Sequence, residues 1–255
     1  MTHPILAAQL FTVRDYLKTT ADFSDTLKKV KAIGYTAVQV SGIGPISDED
    51  VKAVLDDTGL TCCITHVRSP WPWVDVDAII AQHKLWNCKN IAIGAMPTSY
   101  RSDEEGFLRF AAEANQIGQK IHEAGLTFSY HNHSFEFVRF GGRTGLELLY
   151  AETDPRYMKA ELDTYWVQHG GGDPALWIKK MKDRMPVVHL KDMAFLDGTQ
   201  VMAEIGTGNL NWPSIIEACK DANVEWYAVE QDICRRHPLE CLKISYDYLK
   251  SLGLW

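Results

Sequence analysis

Two histidines, an asparagine and a glutamate close an apolar run in the segment TFSYHNHSFEF, residues 127–137. Alternate residues of a strand share a face, so His131 and His133 project together while Asn132 points away. Buried ionisable groups without a partner are costly, so two imidazoles on one face, followed by Glu136, point to a task beyond packing. Three later segments end in residues of the same kind. ELDTYW carries Glu161 and Asp163, VVHLKDM carries His189, Lys191 and Asp192, and VEQD carries Glu230, Gln231 and Asp232. Carboxylates from Asp163 and Glu230 with imidazoles from His131 and His189 form a mixed oxygen and nitrogen donor set. That set suits one divalent ion, Mn²⁺, Zn²⁺, Co²⁺ or Fe²⁺, and a carboxylate-weighted version admits Mg²⁺. Each residue also has a plainer use: Asp163 as a helix cap, His189 as a satisfied core residue, Glu230 as a partner of Lys191 or Arg235. Lys191 faces the same side as His189 and is placed to hold a substrate oxygen or oxyanion, or to pair with a carboxylate at the same mouth.

The elements that must carry these residues follow one repeating pattern, a short apolar strand and then a longer helical segment. Strand signals fall at 5–10, 37–40, 61–67, 90–93, 127–137, 158–163, 186–190 and 226–229. Helical segments follow at 22–33, 47–58, 76–86, 102–124, 145–152, after Pro174, at 212–222 and at 238–252. Ser47 with Asp50 reads as a variant capping box, and Gly59 stops that helix. Eight strand-helix units without a composition break predict an α/β chain forming a single (β/α)₈ TIM barrel over residues 1–255. A doubly wound sheet is the runner-up, but no G-x-G-x-x-G follows the first strand.

In such a barrel, chemistry sits at the carboxyl ends of the strands, and the polar residues fall there. Gln9 and Arg14 follow the first strand, Thr65 and His66 end the third, and Ser41 and Gly94 end the second and fourth. Gln9, Arg14, His66, Asn132, Trp166 and Glu204 are read as substrate contacts. Trp166, with Phe11, Trp71 and Trp73 of the neighbouring mouth segments, offers aromatic walls for a sugar-sized pocket. Glu204 precedes the glycines of EIGTGNLNW, a loop that crosses the mouth and resembles a phosphate cradle only weakly.

The chain has 26 Lys and Arg against 33 Asp and Glu, a net charge of −7, which argues against a nucleic-acid partner. Its 46% hydrophobic content is ordinary for a globular domain, and no run reaches the roughly 18 to 20 apolar residues of a membrane span. The start, MTHPILAAQLFTVRD, has no basic region ahead of a long apolar segment. The six cysteines form no CxxC pair, so reduced thiols in a cytoplasmic protein are expected, with Cys62 and Cys63 on opposite faces of one strand. A homo-oligomer is left open, since exposed tryptophans near the mouth would mark a partner or a lid.

AAQLFTVRD, YHNHSFEF, ELDTYW, VVHLKDM, EIGTGNLNW and VEQD, in this order and spacing, resemble the sugar phosphate isomerase/epimerase family of xylose-isomerase-like TIM barrels. The resemblance covers nearly the whole chain. The family holds sugar epimerases, ketose-aldose isomerases, inosose and dehydroshikimate dehydratases, and type IV abasic-site endonucleases. It implies one divalent metal held by four strand ends, with Asp163, His189 and Glu230 at three ligand positions. The fourth is usually a glutamate; His131 stands there, with His133 or Glu136 as alternatives. Trp166 replaces the histidine of an Asp-Thr-x-His motif, which removes a ligand that a multinuclear zinc site needs. The resemblance therefore implies an isomerase or epimerase acting on a sugar or polyol through an enediolate. Glu230 or Glu136 is then the candidate base and His133 its acid partner. A keto-polyol dehydratase and a non-catalytic sugar-binding barrel are the rival readings.

Overall fold

The computed structural model describes residues 4–67, 71–73 and 75–253; Ser69 and Pro70 of the SPWPW loop lie outside them. Eight strands form one parallel sheet: β1 (Ile5–Gln9), β2 (Ala37–Val40), β3 (Thr61–His66), β4 (Asn90–Ile93), β5 (Thr127–His131), β6 (Lys159–Glu161), β7 (Val187–Leu190) and β8 (Trp226–Val229). The order is β6-β5-β4-β3-β2-β1-β8-β7, and an isolated parallel bridge between Asp163 and His189 joins the two outer strands into a barrel. At this seam the His189 N–H donates to the Leu162 carbonyl at 2.8 Å. The Thr164 hydroxyl continues it, accepting the Lys191 N–H at 2.9 Å and donating to the Lys191 carbonyl at 2.8 Å.

The helices between the strands are α1 (Thr20–Ile33), α2 (Asp48–Thr58), α3 (Val76–Leu85), α4 (Glu104–Glu123), α5 (Gly145–Ala151), α6 (Thr164–His169), α7 (Pro174–Lys180), α8 (Trp212–Asp221) and α9 (Pro238–Ser251). α1 begins ahead of the expected position because Thr19 and Asp22 form a reciprocal capping box. At α2 only half of such a box forms: Ser47 Oγ accepts the Asp50 N–H at 3.1 Å, and the Asp50 carboxylate turns to Thr20. Gly59 ends α2 in the left-handed region, at φ 62°, where a side chain would be strained. No helix among the described residues is long and apolar enough to cross a membrane.

Strand parity divides the core into two layers. Ala7, Ala37, Cys63, Ile64, Ala92, Val187 and Ala228 form the inner cluster, the four alanines letting the strands close; Cys63 and Ile64 share it because β3 slips register against β2 between Val38 and Gln39. Leu6, Val38, Cys62, Phe128, Tyr130 and Tyr227 belong to the larger cluster between strands and helices. Cys62 and Cys63 thus occupy different layers, and all six thiols are free.

Three local expectations change. Strand β5 ends at His131, and Phe135–Phe137 form a 3-10 turn, so the period-two pattern stops before Glu136. An antiparallel hairpin, Asp192–Leu196 with Thr199–Ala203, extends from the end of β7 where a loop alone was expected. Trp71 and Trp73 do not wall a mouth pocket: both rings pack on Phe128, and Trp71 also packs on Phe110 of α4 while its Nε1–H donates to Glu113 at 2.9 Å. Trp73 is buried and Trp71 and Trp166 are half-buried, so the tryptophan exposure that would have marked a partner surface is not there.

Candidate metal centre and active site

Each strand from β5 to β8 sends successive inward residues up through the barrel to its carboxyl end. The donor atoms of His131, Asp163, His189 and Glu230 all lie within 4.8 Å of one another, and all four side chains are buried. His189 Nδ1 is 3.0 Å from Glu230 Oε2 and 3.9 Å from Asp163 Oδ2, while His131 Nε2 is 3.9 Å from the same Asp163 oxygen. Asp163 divides its work. Its Oδ1 caps α6 by accepting the Trp166 N–H at 3.0 Å, which leaves Oδ2 turned to the histidines.

Lys191 is 1% exposed, and its ammonium lies 2.9 Å from Asp163 Oδ2, 2.8 Å from Glu230 Oε2 and 3.0 Å from Asp232 Oδ2. Three carboxylates therefore face one lysine cation, an excess of negative charge that favours a further cation. His131 Nδ1 and His133 Nδ1, both shut off from solvent, have no hydrogen-bond partner among the described residues. Two buried imidazoles and two buried carboxylates converging on one point fit a borderline divalent ion, while the unpartnered His131 Nδ1 faces Glu161.

Burial works to raise the Glu230 carboxyl, but Lys191 and His189 outweigh it and hold it well below its ordinary value. Burial raises Asp163, against the pull of Lys191, and burial with Glu230 lifts Asp232 to about 6. Burial acts to lower His189, yet Glu161 and Glu230 carry it up to about 10. His131 is driven well below its usual value by burial and then by His189, and burial with Lys191 takes His133 down to about 3. Lys191 is held well above its ordinary value because Asp163 and Glu230 overcome the effect of burial.

The other sequence candidates divide into those at the cluster and those elsewhere. His66 reaches into the barrel, its Nε2 2.7 Å from Glu161 Oε2 and its ring 5.0 Å from that of His131. His133 follows His131 on the inner face, ring centres 5.1 Å apart, and stands 5.1 Å from the Trp166 ring. Trp166 lies half-buried with Lys191 Nζ 5.8 Å from its ring centre, so it walls the cluster. Gln9 is buried and accepts the Phe11 N–H at 2.7 Å, and Arg14 donates to the Phe11 carbonyl at 2.8 Å with its guanidinium over the Phe11 ring.

Asn132 points away from the cluster. Its Oδ1 accepts the Asp163 N–H at 3.1 Å and its Nδ2 donates to the His133 carbonyl, so it ties two strand ends together. Glu136 is also turned away: its carboxylate accepts from the Tyr130 hydroxyl at 2.6 Å and from the His133 N–H at 2.9 Å, on the helix side of the sheet. Glu204 is buried beside Arg236 Nε at 3.1 Å and Cys241 Sγ at 3.2 Å, away from the four ligands. The glycine loop after it is no anion cradle. Its Gly206 and Gly208 N–H groups donate to Asp192 Oδ2 at 2.9 and 3.0 Å, so a carboxylate of the chain fills that place.

Glu161, Gln39 and Asp232 join the cluster without having been assigned a role from sequence. Gln39 Oε1 is 2.6 Å from His189 Nε2. Glu161 and Asp232 carried a readable signal, each two residues from a strand-end candidate, Asp163 and Glu230.

Residues 27–252 match the profile of the xylose isomerase-like TIM barrel family. The chain belongs to that family. It is 29% identical over 175 residues to an inosose dehydratase of Mesomycoplasma hyopneumoniae, across 61% of this chain and 57% of that protein. To an inosose dehydratase of Clostridium botulinum it is 28% identical over 172 residues, across 60% of this chain and 56% of the relative. The match thus spans just over half the length of these curated relatives. Among solved structures, a sugar phosphate isomerase/epimerase from Parabacteroides distasonis superposes with a TM-score of 0.83 at 24% identity, covering 99% of each chain. An L-ribulose 3-epimerase gives 0.73 at 15% identity, covering 99% of this chain and 95% of that one. These likenesses show the shared barrel.

Proposed function

We propose that the chain is a divalent-metal-dependent isomerase or epimerase of a sugar or polyol, working by proton transfer next to a carbonyl. The observation that carries this reading is the convergence of His131, Asp163, His189 and Glu230 at the mouth of one barrel, beside a buried ammonium. Those four residues would hold the ion, which when bound supplies Lewis-acid polarisation of neighbouring substrate oxygens.

Glu230 is ionised and takes the α-proton; Glu136, spent on Tyr130 and the His133 backbone, is set aside as base. Lys191 keeps its proton and donates to the oxygen on which charge develops. His133, neutral and with Nδ1 free among the described residues, can pass a proton between substrate oxygens or back to carbon. Return of the proton from Glu230 to the neighbouring carbon completes isomerisation; epimerisation would need a solvent proton relayed through the neutral His133 to the opposite face while Glu230 releases its proton to solvent. Trp166 offers an apolar wall for the C–H face of the substrate.

A second reading is favoured by the curated relatives, which are named inosose dehydratase. There the same α-proton abstraction is followed by loss of a β-hydroxyl, with Lys191 or His133 supplying the proton. Metal analysis of the purified chain, followed by deuterium exchange from D₂O into ketoses, aldoses and keto-inositols, tests both. Stoichiometric metal and deuterium beside a carbonyl support the proposal, and water loss from the keto-inositol selects the second reading. No metal and no exchange would leave a sugar-binding barrel.

A further inference from the structure

We propose that Glu161 is a positioning residue for the metal centre, a single carboxylate beneath the four ligands that fixes which nitrogen His189 and His131 turn toward them. The proposal rests on the reading that an ion is held by those four residues. Glu161 has no exposure, and its carboxylate faces three imidazoles: His66 Nε2 at 2.7 Å, His189 Nε2 at 3.0 Å and His131 Nδ1 at 3.7 Å. Nothing in a metal-binding scheme of four strand ends calls for a charge at this depth, and an isolated buried carboxylate is costly. Its surroundings supply a reason for it.

His189 Nε2 lies 2.6 Å from Gln39 Oε1 and 3.0 Å from Glu161 Oε1, and its Nδ1 lies 3.0 Å from Glu230 Oε2, so without an ion each ring nitrogen faces an acceptor. An ion taken up at Nδ1 would replace the hydrogen shared with Glu230 Oε2 at 3.0 Å, and the acceptors at Nε2 would keep the remaining ring hydrogen there. His131 is turned in the matching sense, with Nδ1 toward Glu161 and Nε2 toward Asp163. A carboxylate behind a ligating imidazole sets its tautomer and raises its basicity. Here one carboxylate lies behind both ligating rings, 3.0 Å from His189 Nε2 and 3.7 Å from His131 Nδ1, and His66 holds its other flank at 2.7 Å.

The same atoms suggest a competing use. His66, His131, Glu161 and His189 also bring their donors within 4.8 Å of one another and could hold an ion themselves. His131 and His189 belong to both sets, so filling both places would strip both ring hydrogens from each. The 2.7 Å contact of His66 with Glu161 and the 2.6 Å contact of Gln39 with His189 use two of the deeper donors, while His131 Nδ1 and Glu161 Oε1 have no hydrogen-bond partner among the described residues, so the number of ions bound separates the two places. On this proposal the deeper set is the support and the upper set the site.

The test titrates Co²⁺ into the full chain, wild type, Glu161→Gln and His66→Gln, with metal-free melting temperatures recorded alongside. Glu161→Gln is expected to keep one ion per chain, to bind it about 10- to 100-fold more weakly, and to alter the visible absorption of the bound ion. His66→Gln, which leaves both ligating rings facing Glu161, is expected to weaken binding less. Unchanged affinity and spectrum in Glu161→Gln would overturn the proposal. Two ions in the wild type and one in Glu161→Gln would overturn it in favour of Glu161 as a ligand. If the wild type binds no ion, the metal reading fails by itself, and imidazole N–H signals in nitrogen-15 spectra decide the rest. Downfield signals from His66 and His189 that disappear in Glu161→Gln support the hydrogen-bonding role, and signals unmoved by the substitution overturn it.

Discussion

Lys191 Nζ lies 2.9 Å from Asp163 Oδ2, so a cation of the chain already rests on a carboxylate that a bound ion would share. Lys191→Met leaves Asp163, Glu230 and Asp232 without that partner. Breaking a buried pair in this way costs about 3–5 kcal/mol. The variant should melt lower without metal, and Mn²⁺ or Zn²⁺ should raise its melting temperature more than that of the wild type. Equal shifts in the two proteins would show that ammonium and ion do not share the carboxylates.

Glu230→Gln tests the site from the other side. It removes both a ligand and the proposed base, so metal affinity should fall and solvent deuterium exchange should drop by about 10²- to 10⁴-fold. A variant that keeps its exchange rate would remove Glu230 from the mechanism.

His83 gives the fold an acid sensitivity independent of the site. Its Nδ1–H donates to the Ile79 carbonyl and its Nε2 accepts from Thr65, both at 2.7 Å, and burial lowers it to about 4. The unfolded chain binds this proton near pH 6.5 and the folded chain only near 4, so unfolding takes up a proton between those values. Stability falls as pH drops through that window, by up to about 3 kcal/mol, and is unaffected above it. The stability gap between wild type and His83→Gln in urea melts should therefore shrink from pH 7 to pH 4. A constant gap would rule this out.

Asp192 organises the loop after the β7 hairpin. Its carboxylate accepts from Gly206, Gly208, Leu210, Met193 and Trp212 Nε1, the last at 2.7 Å. Asp192→Ala strands several buried donors, at about 1–3 kcal/mol each if water does not replace the carboxylate. Limited proteolysis should cut the variant near residues 206–210 while the wild type resists. Equal resistance would show that the loop does not depend on Asp192.

The barrel and the four strand-end donors were legible because both follow from the period-two rule, applied where apolar runs end. His131, Asp163, His189 and Glu230 each sit at such an end, and their side chains meet. Glu136 was misjudged because its strand stops at His131, and a 3-10 turn carries the residue to the outer face. Trp71 and Trp73 carry no signal for which side of a loop they pack on. Asp192 could be understood only with its loop in place, since its donors come from up to 20 residues away. Gln39 was hidden for a different reason: β2 is short and otherwise apolar, and its partner His189 is 150 positions away.

The seam between β6 and β7 gives the site a second consequence. The bridge that completes the ring is made by Asp163 and His189, two of the four residues that converge on one point inside it. An ion gripping both would act as a clasp on the joint where the cylinder is least continuously laced. Amide hydrogens along 160–163 and 187–191 should then exchange more slowly once the clasp is fastened. Chemistry and mechanical closure would share a single fastening, so wear on one would be felt by the other.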